Sequence, residues 1–251
     1  MPQSILITGG TGKFGRQFVR HFVNAGWQVT YTTTSLRRAE ALYMDYPELQ
    51  TAYALELDLL AHDAATSLLS LLRERDIRVN HLVNNARSLN SLKVDERGQS
   101  ARQDMLDEYL LGVVVPYELA TALLNSQPDE LQTVTNIGSQ YGVVAANPNL
   151  YGDRHAHSPI HYGVAKAALH HLTRELAVRM APDDVRVNAI AYGGVEGRTD
   201  SQFRTRYSEL SPNSRMLKDA EVIGPLDFLT SGASTAVTGH VLVADGGWTV
   251  W

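Results

Sequence analysis

The stretch Thr8-Gly9-Gly10-Thr11-Gly12-Lys13-Phe14-Gly15 constrains this chain more than any other. It follows a short apolar run at 4–8 and opens a segment at 13–25, where Phe14, Phe18, His21 and Phe22 recur at helical spacing. A strand that turns through glycines straight into a helix lets the backbone approach a pyrophosphate closely. The helix N-terminus then offers free N–H groups and a partial positive charge to the anion. A glycine turn with only structural duties is the plain alternative, and the strand before and helix after weigh against it.

The remaining chain keeps the same rhythm. Strands are expected at 28–33, 52–57, 81–84, 133–137, 185–190 and 240–243. Helices are expected at 37–44, 63–76, 103–125, 161–180 and 219–230. This alternation predicts an α/β protein: one Rossmann-type, doubly wound parallel sheet of about seven strands with helices on both faces. With 44% hydrophobic residues among 251, one such domain can use the whole of 1–251. Two polar segments, 88–100 and 143–159, break the rhythm. Both follow strands at the carboxyl edge, where ligands bind in open α/β sheets. The substrate site is therefore expected on loops 88–100, 140–161 and 192–218.

The net charge of −5 argues against nonspecific nucleic-acid binding. With no cysteine, disulfides and thiolate metal sites are excluded. The opening residues lack the pattern of a secretory signal, and no run approaches the roughly 18 apolar residues of a membrane span. A cytoplasmic protein with no membrane partner is expected.

At the end of the second strand a dinucleotide fold normally carries an acid for the ribose hydroxyls. Here the residues are Thr32-Thr33-Thr34-Ser35-Leu36-Arg37-Arg38. Hydroxyls from Thr33, Thr34 and Ser35, with Arg37, Arg38 and Lys13, suit a 2′-phosphate better, so NADP(H) is favoured over NAD(H).

Tyr162-Gly163-Val164-Ala165-Lys166 opens a predicted helix, and positions i and i+4 share a face. Reducing a carbonyl needs an acid and oxidising an alcohol needs a base. A free phenol, with pKa near ~10, is a poor base, and bringing it to ~7 takes roughly 4 kcal/mol. A cation about 4 Å away at an effective dielectric near ~20 supplies that amount. Ser139 follows the fifth predicted strand, where a hydroxyl can hold a substrate oxygen beside Tyr162.

Taken in order, these residues resemble the short-chain dehydrogenase/reductase family over essentially the whole chain. The likeness extends to Asp58-Leu59, Asn84-Asn85-Ala86, Arg186-Val187-Asn188-Ala189-Ile190, Thr238-Gly239 and Asp245-Gly246-Gly247. The resemblance implies catalytic roles for Ser139, Tyr162 and Lys166. It implies cofactor contacts from Thr8, Gly9, Thr11, Gly12, Lys13, Phe14 and Gly15, from Asp58 and Leu59 at the adenine, and from Asn85 and Ala86. Tyr162 and Lys166 would meet the nicotinamide ribose, with Gly193 and Val195 near the carboxamide. It further implies a homodimer or homotetramer built on the helices at 103–125 and 161–180.

Several positions depart from the family pattern. Lys13 stands where the short form has glycine, Arg87 follows Asn-Asn-Ala, and Tyr192-Gly193 replaces Pro-Gly. The asparagine that bends the long helix and places a relay water falls at Tyr109, and no asparagine lies between Asn90 and Asn125. Another proton route, or slow turnover, is implied.

The segment between Ser139 and Tyr162 is longer than usual for the family and rich in polar side chains, among them Asn147, Asn149, Tyr151, Asp153, Arg154, His155 and His157. It reads as a wall for a hydrophilic substrate. Its start resembles members associated with bacterial surface sugars, so a sugar or nucleotide-sugar is expected, with Arg87, Gln140, Tyr151 and Arg154 as its contacts and the two arginines meeting an acidic group. His155, His157 and His161 are expected as solvated loop residues, not a metal site. Trp248 and Trp251 are expected to serve packing or subunit contact. A cofactor-binding regulatory protein without catalysis, and a sugar epimerase or dehydratase, are the competing readings.

Overall fold

The computed structural model describes residues 3–152, 157–197 and 199–251. Seven parallel strands form one sheet in the order β3-β2-β1-β4-β5-β6-β7. They are β1 (Ser4–Ile7), β2 (Gln28–Thr33), β3 (Tyr53–Glu56), β4 (His81–Asn84), β5 (Thr133–Ile137), β6 (Arg186–Tyr192) and β7 (Val241–Ala244). The helices are α1 (Lys13–Asn24), α2 (Leu36–Asp45), α3 (Ala64–Glu74), α4 (Arg102–Tyr109), α5 (Val115–Ser126), α6 (Ile160–Met180), α7 (Ser201–Leu210) and α8 (Ile223–Thr230).

Alternation along each strand feeds two cores. In β1, Leu6 packs among Leu68, Leu72, Leu119 and Leu176 from α3, α5 and α6. Ile5 and Ile7 face Phe18, Phe22, Leu42 and Leu226 from α1, α2 and α8. A strand buried on both faces reads as a continuous apolar run, as Ser4–Ile7 does. Strand order reverses between β1 and β4, so their carboxyl ends open a crevice there.

Three features correct the sequence expectations. The helix expected at 103–125 is interrupted by a π-turn at Leu110–Val114. Pro116 explains it: lacking an N–H, proline cannot donate to the carbonyl four residues back, and the register loosens just before it. The combined helix Arg102–Ser126 is long and apolar enough by composition to cross a membrane. Here Leu111, Leu119 and Leu123 are packed into the core. The helix expected at 219–230 opens with a 3-10 turn at Asp219–Val222. Finally, α7 lies inside the segment expected as loop. Asp200 caps it, accepting from Phe203 N at 2.8 Å, and Tyr207 is buried beneath it.

Candidate active site

The glycine loop is fixed from β4. Thr8 Oγ1 accepts from the backbone N–H groups of Asn85 and Ala86, both at 2.9 Å. Asn85 Nδ2 donates back to Thr8 O at 2.8 Å and Gly9 O at 3.2 Å. The loop has no room for side chains: a Cβ on Gly15 would lie 2.2 Å from Gly9 O, and one on Gly10 2.4 Å from the Tyr31 ring. Gly9, at φ +67, turns the chain in the left-handed region. Gly12 caps α1 with no side-chain hydrogen bond, so the N–H groups at the start of a 12-residue helix are open to an anion. These features fit a dinucleotide pyrophosphate.

At the end of β2, Thr11 and Thr33 hydroxyls meet at 3.2 Å, and Thr33 Oγ1 donates to Ser35 O at 3.1 Å. Ser35 caps α2 without a side-chain bond, and exposed Arg37 and Arg38 follow in its first turn. Lys13, weighed for the same 2′-phosphate, points to the opposite side of the crevice. Its Nζ donates to Val195 O at 3.2 Å and pairs with Asp219 at 3.3 Å. Asp58 is exposed, its carboxyl accepting from Leu60 N at 3.0 Å, while Leu59 is buried beside it.

Ser139 follows β5, between two glycines that let α6 come close. A Cβ on Gly138 would sit 2.2 Å from His170 Nε2, and one on Gly142 2.6 Å from the same ring. Ser139 is buried and its Oγ accepts from Tyr141 N at 3.2 Å, leaving its proton to donate. Lys166 Nζ lies 5.9 Å from the Tyr162 ring centroid and donates to Ile137 O at 2.8 Å. Burial pushes the Lys166 ammonium pKa down, the Tyr162 and Glu108 side chains pull it back up, and Arg87 lowers it further. The Arg87 guanidinium carbon stacks 4.4 Å from the Tyr162 ring centroid. Gly193 and Val195 follow β6, with Val195 bridging to Leu217.

The expected substrate wall changes character. Gln140 is not presented to the cleft: it is buried, and its Oε1 accepts from Tyr207 OH at 3.1 Å. Tyr207 OH in turn accepts from Gly194 N at 2.8 Å. Tyr151 shares a 3.0 Å hydrogen bond with Tyr141 OH, stacks on His157, and belongs to an apolar cluster with Leu150, Tyr207, Met216 and Trp248. Part of the polar segment thus packs as a small third core against α7. Arg154 and His155 lie outside the described residues. His161 corrects the solvated reading. It is buried, its Nε2 donating to Ser91 O at 2.6 Å and its Nδ1 meeting Ser100 Oγ at 2.8 Å. Trp248 packs, whereas Trp251 is exposed.

One residue of this region escaped the sequence reading. Glu108 is buried at 3% exposure in the last turn of α4, and it accepts from Ser91 Oγ at 3.2 Å. Its signal was legible, since positions 108, 111, 115 and 119 form one helical stripe that is otherwise apolar.

A family model described as enoyl-(acyl carrier protein) reductase matches residues 13–249. The uncharacterized oxidoreductase YmfI of Bacillus subtilis (strain 168) is 28% identical over 255 residues, spanning 99% of this chain and 99% of that protein. Galactitol 2-dehydrogenase (L-tagatose-forming) of Cereibacter sphaeroides is 34% identical over 124 residues, 47% of this chain and 46% of that one. The crystal structure of a short-chain dehydrogenase from Leptospira borgpetersenii with bound NAD+ superposes with a TM-score of 0.88 at 25% identity, covering 99% of this chain and 93% of its own.

Proposed function

The chain belongs to the short-chain dehydrogenase/reductase family of NAD(P)-dependent oxidoreductases, and on that premise we propose that it interconverts a carbonyl and an alcohol on a small polar substrate of sugar type, using NADP(H). The observation that carries this reading is the placement of Ser139 just after β5 and of Tyr162 and Lys166 on α6, with Lys166 Nζ 5.9 Å from the Tyr162 ring centroid, at the carboxyl edge of the sheet that the open glycine loop also shares.

The bound nicotinamide supplies or takes the hydride. Tyr162 gives a proton to the substrate oxygen in reduction and removes it in oxidation. The Lys166 ammonium stabilises the phenolate by charge and is anchored by Ile137 O at 2.8 Å. Ser139, already accepting from Tyr141 N, donates its hydroxyl proton to the substrate oxygen. The cofactor would be held by Thr8, Gly9, Thr11, Gly12, Phe14 and Gly15 at the pyrophosphate, Asp58 and Leu59 at the adenine, and Asn85, Ala86, Gly193 and Val195 toward the nicotinamide. Lys13 braces Val195 from the glycine loop.

The NADP preference is supported by the absence of a carboxylate among the residues 32–38 and by Arg37 and Arg38 at the start of α2. The sugar class is supported by the galactitol 2-dehydrogenase relative and by Arg87 beside Tyr162, whose guanidinium suits an acidic group on the substrate. In this reading the segments 88–100, 140–161 and 192–218, the last carrying α7, would build the substrate end of the site within one domain. The same reading places the enzyme in the cytoplasm, where reduced nicotinamide is regenerated.

Fluorescence titration with NADPH and NADH, followed by absorbance-monitored turnover of keto-sugars, sugar acids and acyl thioesters, tests the proposal. Tighter NADPH binding and turnover of keto-sugars support it. Turnover of acyl thioesters alone removes the sugar reading, and tighter NADH binding removes the cofactor preference.

A further inference from the structure

Tyr207 has no part in the chemistry above, yet α7 buries it to 1% exposure. Packing alone would be served by a phenylalanine, as at Phe203 one turn earlier. A buried phenol must also place its oxygen. Here the oxygen takes one hydrogen bond and gives one. It accepts from Gly194 N at 2.8 Å and donates to Gln140 Oε1 at 3.1 Å. Burial pushes the phenol pKa up to about 12, so the proton given to Gln140 stays on the oxygen at neutral pH.

The two partners belong to different segments at the carboxyl edge of the sheet. Gly194 lies two residues past β6, and Gln140 adjoins Ser139 past β5. The ladder between these strands closes at Gly138 N, which donates to Ile190 O at 2.7 Å. Past that point the Tyr207 oxygen spans the gap between them. Gly194 also starts a short ladder of its own. Leu217 N donates to Gly194 O at 2.8 Å, and Glu196 N donates to Leu217 O at 2.9 Å. A hydroxyl fixed on Gly194 N therefore sets the run 194–196, with Val195 at its centre.

The sequence around Tyr207 is cut to fit it. A Cβ on Gly193 would lie 3.0 Å from the Tyr207 oxygen, and one on Gly194 2.7 Å from the Tyr207 ring. Neither glycine has a positive φ, so both are bare to admit close neighbours and not to make a turn. Trp248 stacks on the Tyr207 ring with centroids 4.4 Å apart and planes 19° apart. Asp245 holds the Trp248 turn, accepting from Gly247 N at 2.8 Å and Thr249 N at 2.9 Å. The ring is thus fixed by packing as well as by its hydroxyl.

We infer that Tyr207 is a positioning residue whose single hydroxyl sets the segment after β6 against the segment after β5, and so fixes the nicotinamide end of the cofactor relative to Ser139. The inference rests on the proposed reading for what binds at Gly193 and Val195, but not for the tie between the two segments.

The test is calorimetric titration of the full chain with NADPH and with 2′-phospho-ADP-ribose, which lacks only the nicotinamide. Tyr207→Phe keeps the ring on Trp248 and removes the oxygen, leaving two partners unpaired. Its Kd for NADPH should rise about tenfold, while its Kd for 2′-phospho-ADP-ribose stays within about twofold of the wild type. A loss of stability alone would not separate the two ligands. A Tyr207→Phe protein that binds both as the wild type does, or loses both alike, overturns the inference. If Tyr207→Phe does not fold, Gln140→Met decides. It leaves the ring and the bond from Gly194 in place and removes only the acceptor. The same split, at about threefold or more, is expected, and unchanged NADPH affinity overturns the inference. If NADH binds the wild type more tightly than NADPH, the pair becomes NADH and ADP-ribose, with the same split expected. A wild-type protein that binds no member of either pair would instead sink the proposed cofactor reading.

Discussion

At the residue scale the chemistry rests on a few atoms. Removing the Tyr162 hydroxyl leaves the glycine loop and its contacts with β4 untouched. Tyr162→Phe should therefore lower kcat by about 10²- to 10⁴-fold while NADPH affinity stays within a few-fold. Paired rate and fluorescence measurements check this. Arg37 and Arg38 are exposed, and Arg38 Nη1 lies at the 3.5 Å limit from Thr34 Oγ1. Replacing both with Ala should raise the Kd for NADPH about tenfold or more with little effect on NADH, because only the former offers a phosphate to the guanidinium groups. Equal losses for the two cofactors would contradict the assignment. The placement of Tyr162 and Lys166 on one helix and of Ser139 just after β5 was legible from spacing, and their catalytic roles are proposed from it. Gln140 and His161 were misread because sequence shows residue type and not which partner takes each polar atom. Gln140 lost its substrate role to Tyr207, and His161 was drawn inward by Ser91 and Ser100.

At the scale of elements, the loop from β1 to α1 tolerates almost nothing. Gly15→Ala would force a methyl against the carbonyl of Gly9. It should weaken nucleotide binding by at least tenfold and lower the melting temperature, whereas Gly26→Ala at the end of α1, with φ +77 and open space around it, should cost about 1 kcal/mol of stability and no nucleotide affinity. Two buried histidines make the elements sensitive to acid. Burial lowers the pKa of His81 in β4 and of His170 in α6 to about 4. Unfolded imidazoles titrate near ~6.5, so the full stability is present above that pH. As pH falls from 6.5 to 4 the unfolded chain takes up protons that the folded chain refuses, and each histidine removes up to ~3 kcal/mol. Urea midpoints should drop between pH 7 and pH 5, and His81→Gln should reduce the drop; a flat profile would refute this. The strands were legible because buried parallel strands are short β-branched runs. The π-turn was not, since Pro116 sits inside a stretch whose apolar spacing stays helical. Helix α7 hid behind a polar sequence in which only Phe203, Tyr207 and Leu210 mark its inner face.

For the molecule as a whole, a single sheet holds both halves of the site in register, and family likeness covers nearly every residue. Helices α4 to α6 leave Met105, Leu106, Tyr117 and Val178 exposed. We propose that these faces meet in a homodimer or homotetramer. Tyr117→Glu with Val178→Glu should then reduce the sedimenting mass by at least one association step without loss of helix content. A wild-type monomer at micromolar concentration would contradict the assembly.

The most direct measurement is the oxidation of NADPH at 340 nm with a panel of keto-sugars, comparing the wild-type protein with Tyr162→Phe and Lys166→Met. Substrate-dependent NADPH consumption by the wild type that all but disappears in both variants, with NADPH still bound by Tyr162→Phe, is the predicted result. Undiminished consumption by Tyr162→Phe would contradict the account at its centre, because hydride transfer would then proceed without the proton donor that Ser139, Lys166 and the glycine loop are arranged around.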